Sequence, residues 1–409
     1  MRVLYLSQYF PPEVGATQTR AYEMATGLIR AGHQVTMLAE VPNHPEGIIR
    51  PEYRGRFWTR ETLDGIDVIR VWVKTAPVKT MRTRLAFYLT YMLNATLAGL
   101  VLARGRYDVV YATSPPLFVG GAALALSLLR RIPLVFEVRD LWPESAVALG
   151  ELENPRFIRW ATWLEECCYR RAWRIVVVTE GIRARLIERG IPSEKLALIP
   201  NGANTDLFHP QPEAGQSLRR ELGLGDCFLA LYAGIHGIAQ GLETVLEAAC
   251  RLADVPRIHF LFVGNGPRKA DLLRLKEDLS LSSVTMLDAQ PREAIPTYLS
   301  AADVALVPLR RLELFKNAVP SKMFDAWACG CPVVLSIDGE ARRVLERAQA
   351  GVFVEPESAE AMAETIRALS TDSDRCRAYG RNGRRFVEAH YSRQAQARRL
   401  VELLEALTT

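Results

Sequence analysis

The sequence predicts an α/β protein of two domains, each built around a mainly parallel β-sheet that is covered by helices. The chain has 409 residues, and at roughly 150 residues per domain this length favours two separate hydrophobic cores. Short apolar runs bounded by turn residues alternate with longer helical stretches, which is typical of strands buried on both faces of a parallel sheet. These runs form two series, one in each half of the chain. We therefore expect two Rossmann-like domains that face each other across a cleft.

Each series predicts six strands. In the first half they are residues 3–7, 35–39, 68–72, 109–112, 134–138 and 175–179. In the second half they are residues 229–233, 259–264, 284–287, 304–307, 333–336 and 351–354. A stretch rich in turn residues, 200–206, separates the two series and is interpreted as the interdomain connection. The expected boundaries are a first domain at 1–198, a second domain at 199–390 and a C-terminal helix at 391–409 that packs back on the first domain.

The overall composition is that of an ordinary globular protein. Hydrophobic residues make up 49% of the chain and charged residues 24%, which excludes collagen-like and wholly disordered proteins. The seven cysteines include no CxxC pair and no zinc-type spacing with histidine, so a reducing compartment is expected. The first residues lack the pattern of a secretory signal peptide. These observations predict a cytoplasmic protein.

Positive charge is concentrated in the first half of the chain. No acidic residue occurs between Asp67 and Asp108, whereas that interval contains the basic residues Arg70, Lys74, Lys79, Arg82, Arg84, Arg104 and Arg106. Such a patch attracts an anionic surface. Residues 85–103 contain no charge and are long enough for a membrane span, but a span would separate strands that must pair in one sheet. A helix partly exposed to lipid is therefore expected, and an ordinary core helix is the alternative.

Two segments at predicted strand ends of the first domain are candidates for binding. In the loop 11–20, Gly15 allows a ligand to approach backbone amides near a helix N-terminus, although an ordinary βα turn often contains glycine too. The segment 137–145 follows the strand 134–138 and contains three acids, an arginine and a tryptophan. This combination suits a polyhydroxylated substrate, with Asp140 and Glu144 orienting a hydroxyl group. The alternative is a local network of arginine and carboxylates.

Glycine turns follow two predicted strands of the second domain. The loop 233–241 contains Gly234, His236, Gly237 and Gln240, and glycines there allow backbone amides to contact a diphosphate. The loop does not have the GxGxxG spacing of a dinucleotide site. Gly264 lies in a second turn, which is weak evidence by itself.

The segment 316–333 gives the strongest local indication of a site. Pro320 and Ser321 are typical of the start of a helix, which we expect to end at Gly330. Lys322 lies on the first turn, where the helix dipole disfavours a cation unless an anion also binds. This position therefore predicts a phosphate. Asp325 follows at i+3, where its carboxylate can accept both hydroxyls of a ribose.

One pattern resembles a metal motif but is not assigned as one. Asp372 and Asp374 have the spacing of a DxD motif, yet they lie in a polar turn between two predicted helices. We expect neither a metal site nor a cofactor in this chain.

With these residues established, the chain resembles the retaining family-4 glycosyltransferases of the GT-B fold over nearly its whole length. The resemblance rests on the Gly15 loop and on residues 200–204, 263–267 and 325–333. Residues 139–144, 240–243 and 320–322 are similar, more narrowly, to the bacterial O-antigen and capsule subgroup that includes N-acetyl-fucosamine transferases.

The resemblance implies an enzyme that transfers a sugar, with retention of configuration and without a metal, from a nucleoside diphosphate donor, UDP being expected. In that family the donor binds the second domain and the acceptor binds the first. The implied donor-binding residues are Gly15, Gly234, His236, Gly237, Gln240, Gly264, Lys316, Asn317, Ser321, Lys322 and Asp325. The implied catalytic residues are Arg139, Asp140 and Glu144. The expected acceptor is lipid-linked, which predicts peripheral association with the anionic inner face of the plasma membrane and no nucleic-acid partner.

Three positions depart from the wider family. Many members have an arginine and a lysine in the diphosphate loop where this chain has Ile235 and Gln240, and the donor-sugar acid is replaced by Asn317. Lys322, His236 and Lys316 are the available replacements, and lysine acts as a point charge. These departures leave two alternatives open, a nucleotide-sugar epimerase of the same architecture and a binding protein that has lost catalysis.

Overall fold

The computed structural model describes residues 1–13, 15–43, 47–77, 80–150 and 152–407. Two compact units divide these residues. The first comprises Met1–Pro200 together with the C-terminal residues from Gln394 onward, and the second comprises Asn201–Arg393. Each unit has its own mainly parallel sheet, so the predicted α/β class with two Rossmann-like units is confirmed.

The first unit contains an eight-stranded sheet, counted over the described residues, in the order β3-β4-β2-β1-β5-β6-β7-β8. The strands are β1 (Arg2–Leu6), β2 (Gln34–Glu40), β3 (Trp58–Leu63), β4 (Ile66–Val71), β5 (Val109–Ser114), β6 (Leu134–Val138), β7 (Arg174–Val177) and β8 (Leu196–Leu198). The helices are α1 (Ala16–Arg30), α2 (Met81–Val101), α3 (Phe118–Arg130), α4 (Glu144–Ala148), α5 (Pro155–Arg171), α6 (Glu180–Glu188) and the C-terminal α15 (Arg393–Glu405).

The second unit contains a six-stranded sheet, again over the described residues, and all of its pairings are parallel. The strand order is β11-β10-β9-β12-β13-β14. The strands are β9 (Phe228–Ala233), β10 (Ile258–Val263), β11 (Val284–Leu287), β12 (Val304–Pro308), β13 (Val333–Ser336) and β14 (Gly351–Phe353). The helices are α7 (Pro212–Glu221), α8 (Glu243–Arg251), α9 (Lys269–Asp278), α10 (Ile295–Ala301), α11 (Ser321–Ala328), α12 (Glu340–Ala348), α13 (Ala359–Leu369) and α14 (Ser373–Phe386).

The C-terminal helix α15 packs on the first unit. Ala397, Leu400 and Leu404 are buried in the same hydrophobic cluster as Met24 and Leu28 of α1. This apolar contact, formed by residues far apart in the chain, explains why the last helix returns to the first sheet.

Two strands were not predicted. The edge strand β3 pairs antiparallel with β4, and its residues alternate between exposed and buried or half-buried positions. The prediction relied on continuous apolar runs, which an edge strand with one solvated face does not have. The strand β8 is only three residues long. Both lie at the edges of the sheet, so the central strands were predicted correctly.

The uncharged segment 85–103 forms most of α2. The helix begins four residues earlier, at Met81, because Thr80 caps it: the Thr83 backbone N–H donates to Thr80 Oγ1 (3.2 Å). One face buries Tyr91, Ala95 and Ala98. Over the part of the chain that the structure describes, no helix combines the length and apolar character needed to cross a membrane.

Candidate functional site

The two predicted glycine turns of the second unit lie against each other at the carboxyl ends of β9 and β10. Gly234 has φ 148° and Gly264 has φ 157°, backbone angles that residues other than glycine rarely adopt. A Cβ atom on Gly264 would overlap the carbonyl oxygen of Gly234. The close approach of the two turns therefore requires glycine at position 264.

His236 connects these turns through its backbone. Its N–H donates to the Asn265 carbonyl (2.9 Å), and its carbonyl accepts from the Arg268 N–H (3.0 Å). The side chain is fully buried, and neither ring nitrogen has a hydrogen-bond partner among the described residues. Burial, with the nearby Lys269 and Lys322, lowers the pKa of His236 to about 4. The imidazole is therefore neutral at pH 7 in this state and adds no positive charge to the loop.

Lys322 on the first turn of α11 places its ammonium at the Gly234 turn. Its Nζ would lie 2.6 Å from a Cβ atom on Gly234, and it donates a hydrogen bond to the Tyr232 hydroxyl (2.9 Å). Burial lowers the pKa of Lys322 to about 8, partly offset by Asp325. Most Lys322 side chains are therefore still cationic at pH 7, and this charge lies beside Gly234 of the glycine loop.

The other predicted donor-binding residues differ in how closely they approach the turns. The side-chain oxygen of Gln240 lies 2.6 Å from the position of a Cβ atom on Gly237. Ser321 and Asp325 belong to the first turns of α11 together with Lys322. Asn317 ends a short 3₁₀ turn before that helix.

Lys316, one of the three possible replacement cations, has a partner at the surface. Its Nζ forms an ion pair with Glu313 (2.8 Å). Of the candidate cations, Lys322 is therefore the one that the structure brings to the Gly234 turn as a charged group.

Tyr232 is a site residue that the sequence analysis missed. It is fully buried near the end of β9, and its hydroxyl donates to the Ile235 carbonyl (2.6 Å) while accepting from Lys322. In the sequence it is one residue of the run 229–233, which predicts a buried strand. The signal in the sequence is a side chain with a hydroxyl group two residues before Gly234.

In the first unit, Glu137 belongs to a buried network rather than to a solvent-accessible site. Arg20 pairs with it (Nη2 to Oε1, 2.8 Å), and the hydroxyls of Tyr111 (2.8 Å) and Thr113 (2.6 Å) donate to it. Burial tends to raise the pKa of Glu137, but Arg20 and Arg139 outweigh this effect and the net pKa is lowered. The alternative of a local arginine–carboxylate network therefore holds for Glu137.

The remaining acids of the segment 137–145 lie in different surroundings. Asp140 is half-buried, and burial raises its pKa although Ser145, the Leu141 backbone and Arg139 lower it. Glu144 begins α4 and lies within 3.4 Å of Arg185 and 3.5 Å of Arg189, both at α6. The Asp140 carboxyl therefore takes up a proton at higher pH than an exposed aspartate does.

Gly15 directly precedes α1, and its carbonyl accepts from the Thr19 N–H (3.0 Å). Its φ of 166° is ordinary extended backbone. The nearest atoms to a Cβ atom there belong to the flexible Gln18 side chain, at 2.5 Å and beyond. The position therefore places no strong steric demand for glycine within the first unit.

The described residues contain no group of three or more side chains suited to hold a metal. Asp372 of the DxD pattern caps α14 instead, accepting from the Arg375 N–H (3.0 Å). This contact explains its position in the sequence without a metal.

Both halves of the chain match models of known protein families. The family model "Glycosyl transferase 4-like domain" matches residues 15–202, and "Glycosyl transferases group 1" matches residues 216–386. The putative colanic acid biosynthesis glycosyl transferase WcaI of Escherichia coli K12 is 26% identical over 375 residues, covering 90% of this chain and 91% of that protein. D-inositol 3-phosphate glycosyltransferase 1 of Catenulispora acidiphila is 31% identical over 292 residues, covering 68% of this chain and 67% of that protein.

A solved structure extends the comparison to the fold. Anabaena Alr3699/HepE, determined in complex with UDP-glucose, has a TM-score of 0.74 and 18% sequence identity, with coverage of 99% of this chain and all of that one. At this identity the likeness concerns the fold.

Proposed function

Because the chain belongs to the glycosyltransferases, we propose that it transfers a sugar from a nucleoside diphosphate donor to a lipid-linked acceptor, with retention of configuration, in polysaccharide or glycolipid biosynthesis. UDP is the proposed nucleotide, since a protein of similar fold has been determined with UDP-glucose. An N-acetylated deoxyhexose or a hexose is the proposed sugar.

The observation that carries the proposal is the position of Lys322. Its ammonium lies at the Gly234 turn and at the start of α11, where backbone N–H groups and the helix dipole also favour an anion. A diphosphate bound there would pair with one positive charge, the Lys322 ammonium, and accept hydrogen bonds from several backbone N–H groups. Asp325, one helical turn further along, is proposed to accept the ribose hydroxyls.

The proposed reaction breaks the bond between the anomeric carbon and the β-phosphate oxygen of the donor. The acceptor hydroxyl forms the new bond on the same face of the sugar, and its proton passes to the departing diphosphate. Negative charge builds up on that diphosphate, so Lys322 and the loop amides stabilise the transition state more than the ground state. The protein's remaining task is to hold the reactants in position.

The acceptor is proposed to bind the first unit near Arg139 and Asp140. Asp140 is half-buried with a raised pKa, and a carboxyl group in this state is suited to a hydroxyl-rich ligand. Glu144 is proposed to orient an acceptor hydroxyl, and its ion pairs with Arg185 and Arg189 hold its carboxylate in place.

A membrane surface is the second proposed partner, and three neighbouring helices support it. Helix α3 lies between α2 and α5, and all three expose large apolar side chains. These residues are Leu93, Leu97, Leu100 and Val101 on α2, Leu128 and Leu129 on α3, and Trp160 and Trp163 on α5. Tryptophan and basic residues favour the interface of a bilayer. The proposal is peripheral binding at the anionic inner face of the plasma membrane.

Labelled nucleotide sugars incubated with the protein and a membrane extract test the reaction. Label that enters the lipid fraction supports transfer. A changed free nucleotide sugar would instead support an epimerase, and binding without either product would support an inactive binding protein. A thermal-shift panel of UDP, GDP, ADP and dTDP identifies the nucleotide, because a ligand that binds the native state raises stability.

Flotation with anionic and neutral vesicles tests the membrane proposal. We expect binding to anionic vesicles that decreases with salt, and a loss of binding when Lys74, Lys79, Arg82 and Arg84 become serine. Lys79 lies outside the described residues, and its inclusion rests on the sequence alone. A matched control replaces Arg375, Arg377, Arg381 and Arg385 of α14 by serine. Equal flotation of all proteins on both vesicle types, or no flotation at low salt, would refute the proposal.

A further inference from the structure

A buried phenol connects the ammonium of Lys322 to the glycine loop. The Tyr232 hydroxyl accepts from Lys322 Nζ at 2.9 Å and donates to the Ile235 carbonyl at 2.6 Å. Lys322 Nζ also lies 4.2 Å from the centre of the Tyr232 ring. One side chain of β9 therefore contacts both the first turn of α11 and the loop that follows β9.

The position of this phenol is itself fixed by packing. Tyr232 is fully buried, and its ring lies 5.8 Å from the His236 ring and 6.1 Å from the Phe262 ring, centre to centre. A lysine side chain has four rotatable carbon–carbon bonds and loses rotational entropy when it is held in one place. A rigid hydrogen-bond acceptor reduces that loss at the moment when an anion binds.

We propose that Tyr232 is a positioning residue for the diphosphate site: its hydroxyl, anchored on the Ile235 carbonyl, holds Lys322 over the Gly234 turn. This inference rests on the proposed function, in which the loop binds a diphosphate. The loop 233–241 itself contains no arginine or lysine, and its residues Ile235 and Gln240 are uncharged. The placement of one lysine from another element therefore decides how well the anion is held.

The charged groups around Lys322 are consistent with this role. Asp325 lies on the same helix, at i+3, and His236 is neutral at pH 7 because its pKa is lowered to about 4. The nearby Lys269 of α9 is occupied, since its Nζ donates to the Gly264 and Leu287 carbonyls (3.0 and 2.9 Å) and pairs with Asp288 (2.6 Å). Lys322 differs from Lys269 in that its described hydrogen-bond partner is a neutral group, the Tyr232 hydroxyl.

The titration of Lys322 gives the proposal a distinctive signature. Its pKa is about 8 without a ligand, and a bound diphosphate raises the pKa because an opposite charge favours the ammonium. Binding then takes up a proton, so affinity decreases as the pH rises above about 8. Loss of the Tyr232 hydroxyl removes a hydrogen bond to the ammonium form, which moves this decrease to lower pH.

The test is a double-mutant cycle on the full chain, with Kd for UDP and for GDP measured by titration calorimetry. The four proteins are the natural chain, Tyr232→Phe, Lys322→Ala and the double variant. We expect Tyr232→Phe to weaken binding about fivefold or more in the natural background, as for a hydrogen bond to a charged group, and less than about twofold when Lys322 is already alanine. Tyr298→Phe, a buried tyrosine on α10 of the same unit, is the matched control and should bind normally.

The outcomes separate this inference from the proposed function. If the natural chain binds neither nucleotide, the proposed UDP site is wrong and the inference fails with it. Three results would overturn only the inference, provided that the natural chain binds. They are an unchanged Kd in Tyr232→Phe, an equal increase in Kd with and without Lys322, and a pH dependence of Kd that does not shift. Thermal unfolding checks that each variant folds, and Tyr232→Leu, which also lacks a hydrogen-bond acceptor, takes the place of Tyr232→Phe in the cycle if that variant does not fold.

Discussion

Arg20 on α1 and Glu137 at the end of β6 form an ion pair in the interior of the first unit, with Nη2 and Oε1 2.8 Å apart. Both side chains are almost completely buried. Arg20 also donates to the carbonyls of Ile199 (2.7 Å) and Pro200 (2.9 Å). The pair therefore ties α1, β6 and the end of the first unit's main segment together.

We predict that Arg20→Ala and Glu137→Ala each destabilise the protein by about 3 to 5 kcal/mol, because removing one partner leaves a buried charge uncompensated. Urea unfolding measures the change. The double variant Arg20→Met with Glu137→Leu should recover much of the loss, and the exposed pair Arg342–Glu346 provides the control, where alanine should cost under about 1 kcal/mol. Equal costs at the two pairs would contradict this account.

A second prediction concerns Glu40, which is buried at the end of β2. Its oxygens accept from Gln8 Nε2 (2.8 Å) and Asn43 Nδ2 (2.8 Å), yet burial and then Glu13 raise its pKa well above the usual range. A carboxyl group whose folded pKa is raised stabilises the fold below its unfolded pKa, and this stability is lost as the pH rises through the folded pKa. The decrease is at most about 1.4 kcal/mol per pH unit.

Glu40→Gln should therefore be more stable than the natural chain at pH 7 to 8, with a difference that shrinks as the pH falls toward about 4.3, the ordinary pKa of glutamate. The Gln8 oxygen has no partner among the described residues, so its amide can turn to accept from the new side chain. Urea unfolding at several pH values measures the effect. Parallel stability profiles for the two proteins would rule it out.

The third prediction addresses donor binding. Lys322→Ala and Asp325→Ala should each weaken binding of the nucleoside diphosphate about tenfold or more, because in the proposed site they remove the ammonium that pairs with a phosphate and the carboxylate that accepts from the ribose hydroxyls. Calorimetry gives both values. Arg274→Ala, which removes an exposed cation of α9 paired only within that helix in the described contacts, is the control. Unchanged affinity in both test variants would show that Lys322 and Asp325 do not form the donor site.

The fourth prediction separates acceptor from donor. Asp140→Asn and Arg139→Ala should lower the rate of sugar transfer while leaving donor affinity within about twofold, since both residues belong to the first unit and the glycine turns to the second. Radiolabel transfer and calorimetry on the same preparations provide the two readouts. Equal losses in both would show that the segment 137–145 contributes to donor binding.

A fifth prediction is that transfer needs no divalent cation. The described residues offer no cluster of metal ligands, and in the proposed site Lys322 and the start of α11 would stabilise the charge of the departing diphosphate. Turnover should be the same with EDTA as without it. Loss of activity in EDTA that Mg²⁺ or Mn²⁺ restores would refute this prediction.

Local patterns in the sequence determined the elements and much of the chemistry. Continuous apolar runs predicted the central strands because both faces of a parallel sheet are buried. The position of Lys322 on the first turn of α11 followed from Pro320 and Ser321, since the start of a helix is a local signal. The sequence also supplied Asp372 as part of a polar turn, where it caps α14.

Tertiary structure decided which of these groups meet. Tyr232 and Lys322 are 90 positions apart, and Arg20 and Glu137 are 117 apart, so no periodicity or spacing links them. Their contacts arise because parallel strands bring their carboxyl ends to one edge of the sheet and helices pack across several strands. The same packing determined which face of α2 is buried, because residues 85–101 of this helix are uncharged and carry no charged stripe that would mark the exposed side.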